Sequence, residues 1–292
     1  MVSWQSKVVK YFFKLYSSIR LTSDLNVIQL RNNIEKLAKF APNIKGVSTA
    51  EKTISDIPAL EVSSPKFDTD KIILYLHGGA YNICSYHTHK RTASRIALAS
   101  NIPAVLINYR LAPEHPFPAA LEDAMTAYKF LLEKKYKHII FAGDSAGGGL
   151  ALCTLFKIRD EKLPLPTCIV TLSPWMDLTF SKWHESHDFM LQIDTLKDHA
   201  KNYYTENDPT DPFISPMFGN FENIPPVLIQ VTPAEALYNE IMLTAEKMEQ
   251  QKTAVTLQIW EDMVHVWQAY GFVPEAKEAI EKIGEFIRAH TA

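Results

Sequence analysis

The chain has 292 residues, of which 47% are hydrophobic and 22% charged, and its formal net charge at pH 7 is −3. This composition is typical of a globular domain with a sizeable core, and the near-neutral charge balance argues against a nucleic-acid partner. The three cysteines (Cys84, Cys153 and Cys168) are too few and too irregularly spaced for a disulfide framework or a zinc site, which favours a reducing, cytoplasmic location. No apolar run approaches the roughly 18 residues of a transmembrane segment.

The first forty residues predict two helices. Met1–Arg20 is rich in aromatic residues, and Lys7, Lys10 and Lys14 fall at helical spacing on the opposite side. Because lysines interrupt every apolar run, this stretch does not have the pattern of a secretory signal peptide. Such a helix could lie on a membrane surface or pack over the protein's own pocket, and we favour the second interpretation. A further helical stretch covers 24–40.

Apolar runs in the rest of the chain predict the sheet. Apolar and polar residues alternate weakly over 47–63, where the apolar positions are Ile54, Ile57, Leu60 and Val62 and Pro58 lies between them. This pattern predicts an antiparallel hairpin at a sheet edge. Six later runs predict buried strands: Ile72–Leu76, Ala104–Ile107, Ile139–Ala142, Ile169–Leu172, Val227–Val231 and Leu257–Trp260. Helical stretches lie between them, among them Ala119–Glu133, and a terminal helix covers Pro274–Ala289. This alternation predicts a mostly parallel, eight-stranded sheet with helices on both faces.

One interval is longer than a crossover between parallel strands requires. It runs from Leu172 to Val227, and within it Asp194 is a candidate N-cap followed by apolar residues at helical spacing. We interpret 177–215 as an inserted helical cap above the strand ends. Together with the helices of 1–45, it is expected to cover a catalytic domain formed by 46–176 and 216–292.

The strongest motif lies between the third of these runs and a following apolar helix. Gly143-Asp144-Ser145-Ala146-Gly147 fits G-x-S-x-G. Strand, sharp turn and helix form the context of a nucleophile elbow, in which the serine is exposed above the strand end. The residues two positions either side of Ser145 must be small, because strand and helix pass close together there. Alone, the pattern also fits a glycine-rich loop, so the serine needs partners elsewhere in the chain.

Backbone donors for an acyl-transfer reaction follow an earlier strand. Ile72–Leu76 leads directly into His77-Gly78-Gly79. Glycines at a strand end let the backbone turn its N–H groups into open space, where they can stabilise the oxyanion of a transition state. Gly78 and Gly79, with Ala146 after the nucleophile, are therefore the predicted oxyanion hole.

A serine nucleophile also needs a base and a carboxylate. Of the ten histidines, His265 is the one that lies in a loop shortly after a strand near the C-terminal end. Glu235, in the turn after Val227–Val231, is the predicted carboxylate that orients the imidazole, with Asp262 and Glu240 as alternatives. The remaining histidines include the pairs His87/His89 and His184/His187, whose spacing favours surface or capping roles and no metal site.

These motifs together resemble those of the hormone-sensitive-lipase family of α/β-hydrolase carboxylesterases. The matching stretches are HGGAY from His77, NYRLAPEHPFPAA from Asn108, GDSAGG from Gly143, SPWMDL from Ser173 and DMVH from Asp262. The resemblance implies an α/β-hydrolase fold with a helical cap, and a catalytic triad of Ser145, Glu235 and His265. It implies hydrolysis of short- to medium-chain acyl esters through a covalent acyl-enzyme, without a metal or organic cofactor.

Several positions depart from the family's pattern. Ala80 stands where a third glycine is usual, Cys84 where glycine is common, and Asn239 where a second carboxylate usually follows the acid. We interpret the charges of Arg110, Glu114 and His115 as a buried ion-pair and turn network that holds a loop.

Three alternatives to the esterase remain open. The same triad could serve an amidase or a lactonase. A non-catalytic receptor on this scaffold, like the plant gibberellin receptors that resemble this family, would lack the catalytic histidine, whereas His265 is present.

An exposed edge strand in this fold class can pair subunits, so a homodimer is an alternative to a monomer.

Overall fold

Alternating strands and helices build one sheet at the centre of the molecule. The structure is a computed structural model that describes residues 2–20, 27–184, 188 and 190–292. The strands are β1 (Ser48–Ile54), β2 (Ile57–Ser63), β3 (Lys71–Leu76), β4 (Ala104–Ile107), β5 (His138–Asp144), β6 (Cys168–Leu172), β7 (Val227–Val231) and β8 (Val255–Ile259). Their order in the sheet is β1-β2-β4-β3-β5-β6-β7-β8.

The direction of the strands follows from their connections. A tight turn joins β1 and β2, so this edge hairpin is antiparallel, and β2 also runs antiparallel to β4. Strands β3 to β8 are parallel to one another, because a helix or a longer segment returns the chain between them. Every residue of β6 and β7 is buried, which explains why the sequences of these strands are mostly apolar.

Eight α-helices surround the sheet in the described part of the chain. They are α1 (Trp4–Arg20), α2 (Val27–Lys39), α3 (Tyr86–Ser100), α4 (Ala119–Glu133), α5 (Ala146–Asp160), α6 (Ile193–Tyr204), α7 (Tyr238–Gln250) and α8 (Pro274–His290). Apolar side chains of α4, α5 and α7 pack on one face of the sheet, and those of α3 and α8 on the other. The predicted α/β-hydrolase sheet with helices on both faces is confirmed. Among the described residues, no helix has the length and apolarity that a bilayer crossing requires.

The inserted segment lies against the loop after β3 through an aromatic stack. Tyr203 of α6 stacks on Tyr81 with ring centroids 3.8 Å apart and an interplanar angle of 6°. The expected N-cap at Asp194 is wrong: the N-cap is Gln192, whose backbone is extended. Asp194 lies in the first turn instead, where its negative charge interacts favourably with the helix dipole. Its side chain does not cap the helix.

Polar contacts join α2 to the loop after β4. Arg31 of α2 donates to Glu114 Oε1 at 2.7 Å and to the carbonyl oxygen of Ala112 at 2.7 Å. Arg110, whose side chain is 43% exposed, in turn donates to the buried Asp123 of α4, so this ion pair is only partly buried. These charged groups therefore tie segments together and do not line the cavity described below.

The close approach of α5 to β3 supplies a test of the fold. A Cβ atom added to Gly147 would overlap the carbonyl oxygens of Leu76 and His77. We expect Gly147→Ala to lower the free energy of unfolding by about 3 kcal/mol or more. The measurement is equilibrium denaturation by urea.

Gly46→Ala is the matched control. Gly46 has a φ of +97°, but a Cβ there would make only an ordinary contact, 3.5 Å from Leu98 Cδ2. Its expected cost is about 1–2 kcal/mol of backbone strain. A Gly147→Ala variant as stable as the parent would mean that the close approach to β3 does not restrict this position.

Candidate active site

Ser145 occupies a strained turn between β5 and α5. Its backbone has φ 51° and ψ −124°, a conformation that side-chain-bearing residues seldom adopt. Two hydrogen bonds hold it: Ser145 N donates to Leu172 O at 2.9 Å, and Trp175 N donates to Ser145 O at 2.9 Å. A Cβ on Gly143 would overlap the backbone of Gly147, so small residues are required on both sides of the serine. This is the geometry of a nucleophile elbow.

The turn opens into an apolar cavity of about 340 Å³. Ser145, His265 and Gly79 lie along it. Its apolar lining includes Phe13, Ile83, Met190, Leu191, Leu196 and Tyr270. Phe13 comes from α1 and Leu196 from α6, so the N-terminal and inserted segments both contribute walls. No motif singles out Phe13, because its position on the inner side of α1 depends on how the helix packs.

Glu235 and His265 form a buried pair. His265 Nδ1 lies 2.6 Å from Glu235 Oε2, and the backbone N–H of Thr232 donates to Glu235 Oε1 at 3.2 Å. The carboxylate accepts from Nδ1–H, which leaves Nε2 as the imidazole atom that can accept a proton. Burial by itself would lower the pKa of His265, but the hydrogen bond and charge of Glu235 outweigh it and raise the pKa above its ordinary value.

The two alternative carboxylates are engaged elsewhere. Asp262 forms an ion pair with Lys10 of α1, and its side chain is 46% exposed. Glu240 is buried and accepts hydrogen bonds from the backbone N–H groups of Met176 at 2.7 Å and Asp177 at 3.1 Å. Burial raises the pKa of Glu240 well above its ordinary value. Of the three candidates, the structure brings only Glu235 to His265.

A further carboxylate near the pair comes from the inserted segment. Asp188 Oδ2 accepts a hydrogen bond from the backbone N–H of Ala236 at 3.1 Å, directly beside Glu235. The charge of Asp188 contributes to the raised pKa of His265. Sequence reasoning missed this residue, because no motif links residue 188 to a turn almost fifty positions later. His187, for which a surface or capping role is expected, lies outside the described residues.

The oxyanion loop differs from the prediction at one position. The N–H of Gly78 donates to Asp144 Oδ1 at 3.3 Å, so it is engaged within the protein. Gly79 and Ala80, by contrast, line the cavity, with φ values of +116° and +51°. Gly78 is an expected oxyanion donor, but its N–H has a partner within the protein, whereas Ala80, the residue that replaces a third glycine, lines the cavity beside Gly79.

Asp144 is a second buried carboxylate that the motif alone does not explain. It accepts from Tyr75 OH at 2.6 Å and pairs with His89 Nε2 at 3.1 Å. Burial by itself would lower the pKa of His89, but the charge of Asp144 outweighs it and raises the pKa. The surface role expected for His89 is wrong: this histidine is largely buried and lines the cavity.

Ser145 and His265 line the same cavity. Among the described residues, no hydrogen bond joins the Ser145 hydroxyl to His265. Such contacts are often long in free enzymes and shorten only when substrate binds.

The chain is similar in sequence and fold to known hydrolases. A family model described as the alpha/beta hydrolase fold matches residues 73–269. The chain is 37% identical over 234 residues to an acetyl-hydrolase of Streptomyces hygroscopicus, with 78% of each protein covered. It is 31% identical to an esterase of Acinetobacter venetianus, with 96% of each covered. The crystal structure of an esterase from the bacterial hormone-sensitive lipase family superposes with a TM-score of 0.92, at 32% identity and over 100% of both chains.

The Glu235–His265 contact predicts a specific change in titration. Without the carboxylate charge, burial acts on the imidazole with less opposition, so we expect Glu235→Gln to lower the pKa of His265. The measurement is NMR titration of the imidazole resonances. Asp262→Asn, which removes a nearby carboxylate in sequence but not one in contact, should leave the His265 titration close to that of the parent.

Proposed function

The chain belongs to the α/β-hydrolase family and to its hormone-sensitive-lipase group, and from this membership we propose that it is a serine carboxylesterase. The matching family model and the similar crystal structure confirm the family and fold that the motifs indicated. The esterase and acetyl-hydrolase relatives support the reaction class. The observation that carries the proposal is the convergence of a strained Ser145 and the Glu235–His265 pair on one apolar cavity.

The proposed reaction proceeds through an acyl-enzyme. Ser145 Oγ attacks the ester carbonyl carbon while His265 Nε2 takes the hydroxyl proton. The carbonyl oxygen becomes an oxyanion, and its proposed donors are the N–H groups of Gly79, Ala80 and Ala146. Collapse of the tetrahedral intermediate breaks the bond to the alcohol, which leaves with the proton from His265. Water then adds to the acyl carbon by the same route, releasing the acid and restoring Ser145.

Glu235 acts through His265 in this scheme. Its carboxylate fixes the tautomer that presents Nε2 to the cavity, and its negative charge stabilises the imidazolium that forms when Ser145 is deprotonated. Asp188 has a positioning role, since it holds the backbone beside Glu235.

The cavity supports short- to medium-chain acyl esters as substrates. Its volume of about 340 Å³ is at the small end of the roughly 300–1,000 Å³ found for small-molecule sites. Met190, Leu191 and Leu196 provide an apolar wall for an acyl chain. A long-chain triglyceride would exceed this space.

The domain division and the cellular context are also proposals. We assign 1–45 and 177–215 to a cap and 46–176 with 216–292 to the catalytic domain, because Phe13 and Leu196 cover a site whose triad lies on the sheet. The three free thiols support a cytoplasmic location. The partly exposed edge strand β8 leaves a homodimer open. No observation favours the amidase, lactonase or receptor alternatives.

Ester hydrolysis tests the proposed function directly. The substrates are p-nitrophenyl acetate, butyrate, octanoate and palmitate. We expect turnover that falls sharply for the palmitate, because the cavity cannot enclose it. Ser145→Ala should lose on the order of a millionfold in kcat, since the nucleophile is removed. Ser64→Ala, in the turn after β2, is the control and should match the parent. A folded parent inert towards all four esters would contradict the proposal.

The pH dependence of kcat/KM tests the role of His265. The base must be neutral to take the serine proton, and its pKa is raised above the ordinary value of 6.5. Activity should therefore be low in acid and rise through an apparent pKa above 6.5, measured with p-nitrophenyl butyrate. A rise centred below that value would show that Glu235 does not outweigh burial at His265.

A further inference from the structure

Helix α1 has two apolar faces: one is buried against the protein, and the other is largely exposed. On the inner face, Val9 is buried and packs with Met263 and Trp267. Phe13, on the same side, lines the catalytic cavity and contacts Tyr270 with ring centroids 5.8 Å apart. These contacts are enough to explain why the helix lies over the site. They do not explain its other face.

The outer face is a continuous stripe of large apolar side chains. It consists of Trp4, Val8, Tyr11, Phe12 and Leu15, which we call the outer stripe. Their spacing places them within about one third of the helix circumference, at 100° per residue. Trp4 is 70% exposed, Tyr11 69% and Phe12 59%. An exposed apolar patch of this kind is usually an interaction site.

Basic residues flank the outer stripe along one edge. Lys7 and Lys14 are exposed beside it, and Lys10 lies one step further round and pairs with Asp262. Between Trp4 and Arg20 there is no aspartate or glutamate, although the whole chain has a net charge of −3. Positive charge is therefore concentrated on this helix. A helix that combines an apolar stripe, aromatic residues and lysines has the composition of one that lies in a lipid interface.

We propose that the outer stripe of α1 docks on an anionic lipid surface. The apolar side chains would enter the boundary between headgroups and acyl chains, while Lys7 and Lys14 meet the negative headgroups. A second copy of this chain is a poorer occupant, because a facing α1 offers no carboxylate to those lysines. The proposal is independent of the esterase assignment. If both hold, docking would place the Phe13 wall of the cavity next to the lipid.

Sedimentation with vesicles tests the proposal on the full chain. The probes are vesicles of phosphatidylcholine alone and of phosphatidylcholine mixed with phosphatidylglycerol. We expect the parent to bind the anionic vesicles more tightly, and added salt to weaken that binding by screening the lysines. The double variant Trp4→Ser with Tyr11→Ser should bind at least about tenfold more weakly. Lys7→Gln with Lys14→Gln should reduce the preference for anionic vesicles by about fivefold per lysine.

The matched control removes equally exposed apolar groups elsewhere. Leu37 and Phe40, in and just after α2, are 78% and 88% exposed. Leu37→Ser with Phe40→Ser should bind vesicles as the parent does. Every variant should keep the parent's thermal midpoint and its hydrolysis of dissolved p-nitrophenyl acetate, which shows that the fold and site are intact.

Tryptophan fluorescence locates the contact on α1. Trp175 and Trp267 are buried, whereas Trp4 is mostly exposed. Anionic vesicles should therefore shift the parent's emission to shorter wavelength, and Trp4→Phe should abolish most of that shift while still sedimenting with the vesicles.

Three results would overturn the proposal. The first is a folded parent that binds neither kind of vesicle. The second is equal loss of binding in the α1 and α2 double variants. The third is a parent dimer that Trp4→Ser with Tyr11→Ser dissociates, without vesicle binding, which would show that a second copy covers the outer stripe.

Discussion

The buried carboxylate of Asp144 connects the parts on which the site depends. One oxygen accepts from Tyr75 of β3 and from the N–H of Gly78, and the other pairs with His89 of α3. Burial by itself would raise the pKa of Asp144, but His89 and Tyr75 outweigh it and lower the pKa, so the group remains charged. Because Asp144 immediately precedes the nucleophile, the same carboxylate sets the distance between the elbow and the oxyanion loop.

The proposed cap contacts the proposed catalytic domain at several loops. Asp188 bonds to the turn of Glu235, Tyr203 stacks on Tyr81 in the loop after β3, and Arg31 holds the segment around Ala112. Apolar contacts accompany these polar and aromatic ones, since Val9 packs with Trp267, and Leu196 of α6 belongs to the apolar core on one face of the sheet. The cap and the loops beneath it are thereby ordered together.

Local patterns predicted the parts of this protein that local physics determines. The apolar runs predicted the bounds of β4 and β7 correctly, and the periodic apolar face predicted those of α4. A buried strand or helix shows such a pattern in residues that are close together in sequence. The strand-end positions of Ser145, Glu235 and His265 followed from the order of elements. By contrast, the Gly78–Asp144 bond, the burial of His89 and the approach of Asp188 join segments far apart in the chain. Such contacts depend on tertiary packing, for which a single sequence carries no periodic signal.

The origin of the cavity walls has a consequence for how this scaffold can change. Phe13 of α1 and Leu196 of α6 shape the space for the substrate, and they lie in segments other than those that carry Ser145, Glu235 and His265. Part of the molecular fit is therefore encoded apart from the proposed triad in the gene. Point changes at these two wall positions can redirect selectivity without altering the triad, which makes them a natural target for diversification, whether by drift or by directed evolution.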